Sequence, residues 1–238
     1  MQDIVKLLKS EVIDKIDRTV TVESIIDETL NEIEVTFCSL KWMRNKDFLV
    51  DANFENWAII AINFETNAVR FLRPSGSATL QKRQVLTILR PITFVHGTKR
   101  TANFEWLGQI QQDVRVGTPL IWLYESINGD RKPMTDSIDF DSNLRVFFLD
   151  EVDATGNSLN GEIREQGVRP MYALADAFFD ALDSSYKLSV LVNSPIKDLS
   201  RFGVEDDRGV IANILDANLG GVEARPTLSV YKGVGCCN

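Results

Sequence analysis

Histidine is the side chain best suited to moving protons near neutral pH, and this 238-residue chain has one, His96. A single histidine excludes a His-Glu-x-x-His zinc site and any multi-histidine cluster. His96 stands in Val95-His96-Gly97-Thr98, where a strand is expected to run into a turn, so a polar group satisfied at that turn is the expected role. As a general base it needs a nucleophile within hydrogen-bond reach. The thiol available is Cys38, and no spacing in the sequence brings the two together. The other cysteines, Cys236 and Cys237, are adjacent. Three cysteines in this arrangement make no disulfide framework, and reduced thiols fit a cytosolic origin. A prenylation box needs cysteine four residues from the end, and Gly235 holds that place.

Phosphate-cradling and nucleophile motifs are missing too. No Gly-x-x-x-x-Gly-Lys-Ser/Thr loop and no Gly-x-Ser-x-Gly elbow occurs, and Gly233-Val234-Gly235 has no helix after it to bind a dinucleotide. Asp139, Asp141 and Asn143 match positions one, three and five of a calcium loop. Position six is then Leu144 where the sharp turn needs glycine, and position twelve is Asp150, across a run that reads as a strand. Acids able to act as a glycosidase pair are numerous but have no distinguishing context. Trp42, Trp57, Trp106 and Trp122 sit in or beside predicted elements, which points to core packing. No catalytic, cofactor-binding or metal-binding residue is assigned.

The elements that would position any site read as follows. Val5, Leu8, Val12 and Ile16 recur at helical spacing, predicting a helix over 3–16, and a weaker helical patch covers Val22 to Leu30. From Ile33 to Val95 the pattern is of strands. Trp57 to Ile62 is a continuous apolar run, Glu65-Thr66-Asn67 a turn, and Ala68 to Leu72 its hairpin partner. Pro74 to Ser77 is a loop. A strand over Val85 to Val95 is interrupted at Pro91, which donates no ladder hydrogen bond. A helix capped by Thr101 or Asn103 runs to Val114, followed by a strand over Thr118 to Tyr124. A long polar loop covers Glu125 to Asn143, a strand Leu144 to Leu149, and a second loop Asp150 to Gly161. Pro170 starts an amphipathic helix to Leu182. Strands follow at Leu188 to Val192 and, after a Gly220-Gly221 turn, at Val222 to Val230, where strict alternation predicts one buried and one wet face. Strands cluster instead of alternating with helices. The fold class expected is therefore α+β, a mixed or antiparallel sheet with packed helices, preceded by a β-rich N-terminal part. The expected division is 1–98, an N-terminal helix plus β-rich region, and 99–238, an α+β domain.

Apolar residues are 44% and charged residues 25%, ordinary globular usage. No run reaches the roughly 18 apolar residues of a membrane helix, and the first residues do not read as a secretory signal. The expectation is a soluble protein made in the cytosol. The net charge of −8 is unevenly spread, +1 over residues 1–100 and −9 over 101–238. Glu23, Asp27, Glu28, Glu32 and Glu34 come with no basic residue among them, and Thr66 to Phe104 holds seven basic residues and no acid. Nucleic-acid readers are usually basic over a whole domain, so sequence-specific DNA binding is disfavoured. Two long polar loops on an α+β frame with polarised charge point to an assembly protein more than to an enzyme.

The order of motifs carries a resemblance. Ile92 to Thr98, Thr101-Ala102-Asn103-Phe104-Glu105 and Thr118 to Glu125 come first. A long loop, the Leu144 to Leu149 strand, the Met171 to Leu182 helix and the glycine-led segment Gly221 to Val230 follow. This order, over about residues 90–238, resembles structural proteins of tailed bacteriophages, near the tail-terminator, tail-completion and neck-ring subunits. The first 90 residues are longer than a minimal terminator needs, which keeps a neck or collar ring open. The resemblance implies a non-enzymatic ring subunit at the head-to-tail junction, assembled in the host cytoplasm and located in the virion. Its implied partners are copies of itself in a homo-oligomeric ring and neighbouring head-completion, portal or tail-tube proteins. DNA would pass non-specifically through the channel, with no cofactor and no membrane. A ring needs two different complementary surfaces per copy, and the basic segment 70–100 with the acidic second part is expected to supply them. The competing readings are a monomeric adaptor or inhibitor of a host protein, and a cytosolic enzyme with a cleft built from loops 125–143 and 150–165.

Overall fold

The computed structural model describes residues 4–74, 79–112, 117–124, 128–131, 138–152, 167–192, 195–206, 209–213, 215 and 218–231. They form two compact units, Asp17–Pro91 and, joined from both sides of it in sequence, Met1–Ile16 with Ile92–Asn238. The division expected at residue 98 thus falls at Pro91, where the strand Val85–Val95 is broken as its proline requires. The leading helix belongs with the second unit.

The first unit is a closed antiparallel barrel. Strands β1 (Thr19–Glu28), β2 (Glu32–Phe37), β3 (Phe48–Val50), β4 (Asn56–Asn63), β5 (Ala68–Leu72) and β6 (Val85–Ile88) follow the order β1-β2-β5-β4-β3-β6. Alternation explains the geometry. In β2, Ile33, Val35 and Phe37 are buried and the residues between them half-buried, which fills a small barrel with side chains. Phe71 meets Phe37 and Trp57 edge-on, with ring centroids 6.1 and 6.5 Å apart. The helix expected over Val22 to Leu30 is a correction: this stretch is strand β1. Val20 and Val22 alternate inward, and the register with β2 slips between Val22 and Ser24 and again between Ile25 and Asp27. Those two irregularities disguise a period of two.

The second unit is built on a five-stranded sheet with order β13-β16-β11-β8-β7. Its strands are β7 (Thr93–Gly97), β8 (Leu120–Tyr124), β11 (Val146–Glu151), β13 (Lys197–Leu199) and β16 (Leu219–Ala224). Strands β7 and β8 are parallel and joined through α2 (Lys99–Gln112), the crossover that parallel pairing demands. A hydrogen bond to Thr98 Oγ1 from the Thr101 amide, 3.4 Å, caps that helix. Against one face of the sheet packs α3 (Arg169–Asp183), with Phe178 5.3 Å from Phe148. The other face carries a cluster in which Val95, Ala102, Trp106, Trp122, Phe147 and Phe202 are buried together. Cover on both sides explains the near-continuous burial of β8, β11 and β16. Helix α1 (Ile4–Glu11) and a 3-10 turn (Ile13–Lys15) belong to this unit. Lys187 Nζ donates to Glu11 Oε1 across 2.6 Å, and hydrogen bonds from Lys15 and Lys187 hold the Glu11 carboxyl below its usual pKa.

Two expected loops and one expected strand are corrected. Residues 125–143 contain strands β9 (Asn128–Arg131) and β10 (Ile138–Asn143), paired antiparallel. Strand β11 reaches Glu151, and residues 153–166 of the second expected loop lie outside the described residues. The alternating strand 222–230 is two strands, β16 and β17 (Thr227–Tyr231), separated at Arg225-Pro226. All six positions of β16 are buried, so no wet face exists there. Gly220 and Gly221 are inside β16, opposite Asp150 and Leu149; no turn forms. The four-stranded sheet β12-β17-β10-β9, with β12 at Leu188–Val192, alternates with the five-stranded one along the chain. Both β10–β11 and β16–β17 pass from one sheet into the other, and the Leu144 amide donates to Pro226 O across 2.9 Å at that corner. Strands β14 (Gly203–Asp206) and β15 (Gly209–Asn213) form a separate hairpin.

Candidate functional site

The residues with chemical potential are held by structural partners. His96, exposed in β7, places Nδ1 3.8 Å from Glu105 Oε2. Cys38 is exposed just after β2 in the barrel unit, whereas His96 belongs to the other unit. Cys236 and Cys237 lie outside the described residues. The segment matched to a calcium loop is the extended strand β10. There Asp141 Oδ1 accepts from Ser229 Oγ at 2.7 Å and Asn143 Oδ1 from Thr227 Oγ1 at 2.6 Å. Asp150 is fully buried in β11. All four tryptophans are core residues, as expected. Trp106 Nε1 donates to Gly117 O at 2.8 Å and Trp122 Nε1 to Gly97 O at 3.1 Å.

The barrel's outer wall is unusual. Of the eleven large hydrophobic side chains exposed among the described residues, nine belong to Asp17–Pro91. Several form one row. Phe48 on β3 lies opposite Ala58 on β4, and Ala58 opposite Leu72 on β5. Leu89, just past β6, donates its amide to Phe48 O at 3.0 Å. Directly opposed residues share a face, and at about 4.8 Å per strand the row spans about 14 Å. Phe48 and Leu72 are each 50% exposed and Leu89 45%. The row ends at Glu32 on β2, opposite Leu72.

Several charges on the barrel are paired within it. Arg70 donates to Glu34 at 2.9 Å, which pushes the guanidinium pKa upward. Arg73 lies 3.1 Å from Glu28. Buried Arg90 lies 3.3 Å from buried Asp47 and donates to Trp42 O at 2.7 Å. The acidic run 23–34 and the basic run from 66 onward are therefore brought face to face by the β2–β5 pairing.

In the second unit a charged triad closes the end of the five-stranded sheet. Glu223 on β16 is 3% exposed, yet its Oε1 accepts from Arg145 at 2.7 Å and from Arg225 at 2.5 Å. Burial pushes this carboxyl up, and hydrogen bonds from the two guanidiniums outweigh it, so its pKa lies below the ordinary value. The Arg145 guanidinium stands 4.8 Å over the Phe147 ring and 5.5 Å from that of Tyr124.

No family model, no curated protein and no solved structure matches this chain. Its reading rests on its own geometry. The sequence reading did not single out Phe48, Leu72, Leu89, Arg145 or Glu223. A signal was present for two of them: Phe48 and Leu72 occupy the outward positions of short two-faced strands, where a solvated wall normally carries polar side chains.

Proposed function

We propose that the chain is a non-enzymatic assembly subunit that forms a closed ring of its own copies, at the head-to-tail junction of a tailed bacteriophage. The observation that carries the assembly reading is the apolar row Leu89–Phe48–Ala58–Leu72 on the barrel wall. A contiguous apolar stripe with a charged margin is the usual mark of a protein contact. The phage setting is supported by the order of the β7, α2, β8, β11 and α3 segments over residues 90–238, the long loop and the single glycine-led strand of that order not being kept. A head-to-tail contact needs a second, different surface. Helix α2 offers one through Phe104, 82% exposed. The barrel row of one copy then packs on the α2 surface of the next. Arg70, Arg73 and Arg90 already have partners within the barrel, so apolar contact, more than charge, holds the ring together.

Completing the burial of the half-exposed Phe48, Leu72 and Leu89 contributes about 1 kcal/mol each, together about a hundredfold in affinity. Light scattering and negative-stain microscopy test this. The unaltered chain forms closed rings. Phe48→Lys with Leu72→Lys gives monomers, and so does Phe104→Lys. Mixing the two variants gives dimers and nothing larger, because one intact surface remains on each. A unaltered chain that stays monomeric at high concentration, or a mixture that stays monomeric, overturns the proposal. Location in purified virions tests the junction.

A further inference from the structure

We propose that the second unit binds a nucleotide-type ligand, a planar base joined to a phosphate, in the cleft between β8, β13 and the start of α2. The site is a cavity of 240 Å³, and a shallower groove of 380 Å³ shares Tyr124 and Arg145 with it as lining. Small-molecule sites usually measure about 300–1,000 Å³, and the two compartments together fall in that range.

Three observations select the ligand chemistry. First, cations converge on the cavity from three separate stretches of chain. Lys99 comes from the start of α2, Lys197 from β13 and Arg201 from the segment after it, and all three are exposed at the rim. With Arg145 that makes four positive side chains around one cavity, in a unit whose sequence is strongly acidic. Among the described residues the one acid lining it, Glu223, is already held by Arg145 and Arg225. The described rim is therefore net positive, which suits a phosphate. Second, the wall shared by both compartments carries an aromatic ring and a guanidinium. Tyr124 is half-buried, and Arg145 is layered against Tyr124 and Phe147. A tyrosine face beside a guanidinium plane is the surface on which nucleobases stack. Third, that wall is rigid. Glu223 grips both the Nε and the Nη2 of Arg145, at 2.7 and 3.2 Å. Trp122 is stacked on Phe147 with centroids 5.2 Å apart, and Phe202 meets Phe147 at 5.0 Å. A wall held in place loses little side-chain freedom when a ligand arrives. The base stacks at Tyr124 and Arg145 while Lys99 and Lys197 take the phosphate.

This inference stands apart from the ring proposal, since the cavity is lined neither by the barrel row nor by Phe104. The ligand can arrive as a free nucleotide or as one unit of a single strand. The test uses the full chain with fluorescein-labelled oligo-dT, an adenine mononucleotide and inorganic phosphate as separate probes, by anisotropy and calorimetry. Oligo-dT or the mononucleotide binds and weakens as salt rises. Of the two, the tighter identifies the natural form. Lys99→Glu with Lys197→Glu, both exposed positions compatible with folding, weakens binding at least tenfold. Tyr124→Leu weakens the base-bearing probes about tenfold and leaves inorganic phosphate unaffected. No binding at millimolar probe, binding unchanged by these variants, or inorganic phosphate binding as tightly as the nucleotide would each overturn the assignment. Light scattering on the same samples reports ring formation separately, so failure of one proposal is not read as failure of the other.

Discussion

Among the described glycines, Gly221 is the one where an added methyl group meets the closest neighbour. It lies within β16, opposite Leu149 of β11, with φ at +155°. A Cβ built there falls 1.9 Å from Phe148 O, 3.0 Å from the Phe148 carbonyl carbon and 3.1 Å from Leu149 Cα. All three atoms are main chain, at the middle of a five-stranded sheet, so no side chain can swing away. Relief requires β16 and β11 to separate by over an ångström, which lengthens their ladder hydrogen bonds. Backbone strain and overpacking together cost Gly221→Ala about 3–5 kcal/mol. For a unit of this size that lowers the melting temperature by roughly 6–20 °C. Gly108, in α2, is the control: nothing lies within 4 Å of its added Cβ. Gly108→Ala relieves the glycine penalty in a helix and stabilises by about 0.5–1 kcal/mol. Calorimetry, which resolves the two units as separate transitions if they unfold independently, measures both variants. A Gly221→Ala protein melting within 2 °C of the unaltered chain would refute the steric argument.

Two further outcomes concern pH and charge. Burial pushes Asp17 up, but bonds from Lys41 and Thr19 prevail and bring it from 3.8 to about 2. A depressed carboxyl stabilises the fold above its unfolded pKa. The contribution of Asp17 is therefore complete above about pH 5 and is lost as pH falls through 3.8 toward 2. Its side chain is 67% exposed, so screening keeps the contribution below about 1 kcal/mol. Asp17→Asn should match the unaltered barrel at pH 2 and be slightly weaker at pH 6 in denaturant titrations; a pH-independent gap contradicts this. Glu223→Gln leaves Arg145 and Arg225 without their carboxylate. Both have solvent access, so the loss is about 1–3 kcal/mol, under the range for a fully buried pair. Because the Glu223 pKa is also lowered, the deficit measured by chemical denaturation shrinks as acid protonates the unaltered protein.

The α+β class, the 57–72 hairpin, the 170–182 helix and the buried tryptophans were all legible, because each follows from local periodicity or from a fixed property such as the φ of Pro170. Three features were not. Strand β1 carries two register slips, which turn alternation into something closer to a helical spacing. Strand β10 reads Ile-Asp-Phe-Asp-Ser-Asn, too polar for a hydrophobic pattern, because hydroxyl-to-acid bonds such as Ser229 to Asp141 hold it to β17. The alternation across 222–230 is real in the letters, but Pro226 splits it, and Glu223, on what would have been the wet side, shares the face of Phe147, where the Arg145 and Arg225 guanidiniums cover it. The candidate surfaces were less legible still. The apolar row exists only once β3, β4 and β5 are laid side by side, and Glu223 meets Arg145 across 78 residues of chain. Pairing also joins charges far apart in the letters, Arg70 with Glu34 and Arg73 with Glu28.

The bond between Glu11 and Lys187 joins residues 176 apart in the chain. Ribosomes add about 5–20 residues per second, so α1 emerges roughly 9–35 s before its anchor exists. The barrel residues are all made in that interval and can close into their own unit. Throughout, the apolar stripe of α1, with Ile4, Leu7 and Leu8, has no docking place of its own. Synthesis therefore imposes an order on this chain, the inserted module first and the flanking one last, and it leaves a nascent greasy helix for chaperones to shield.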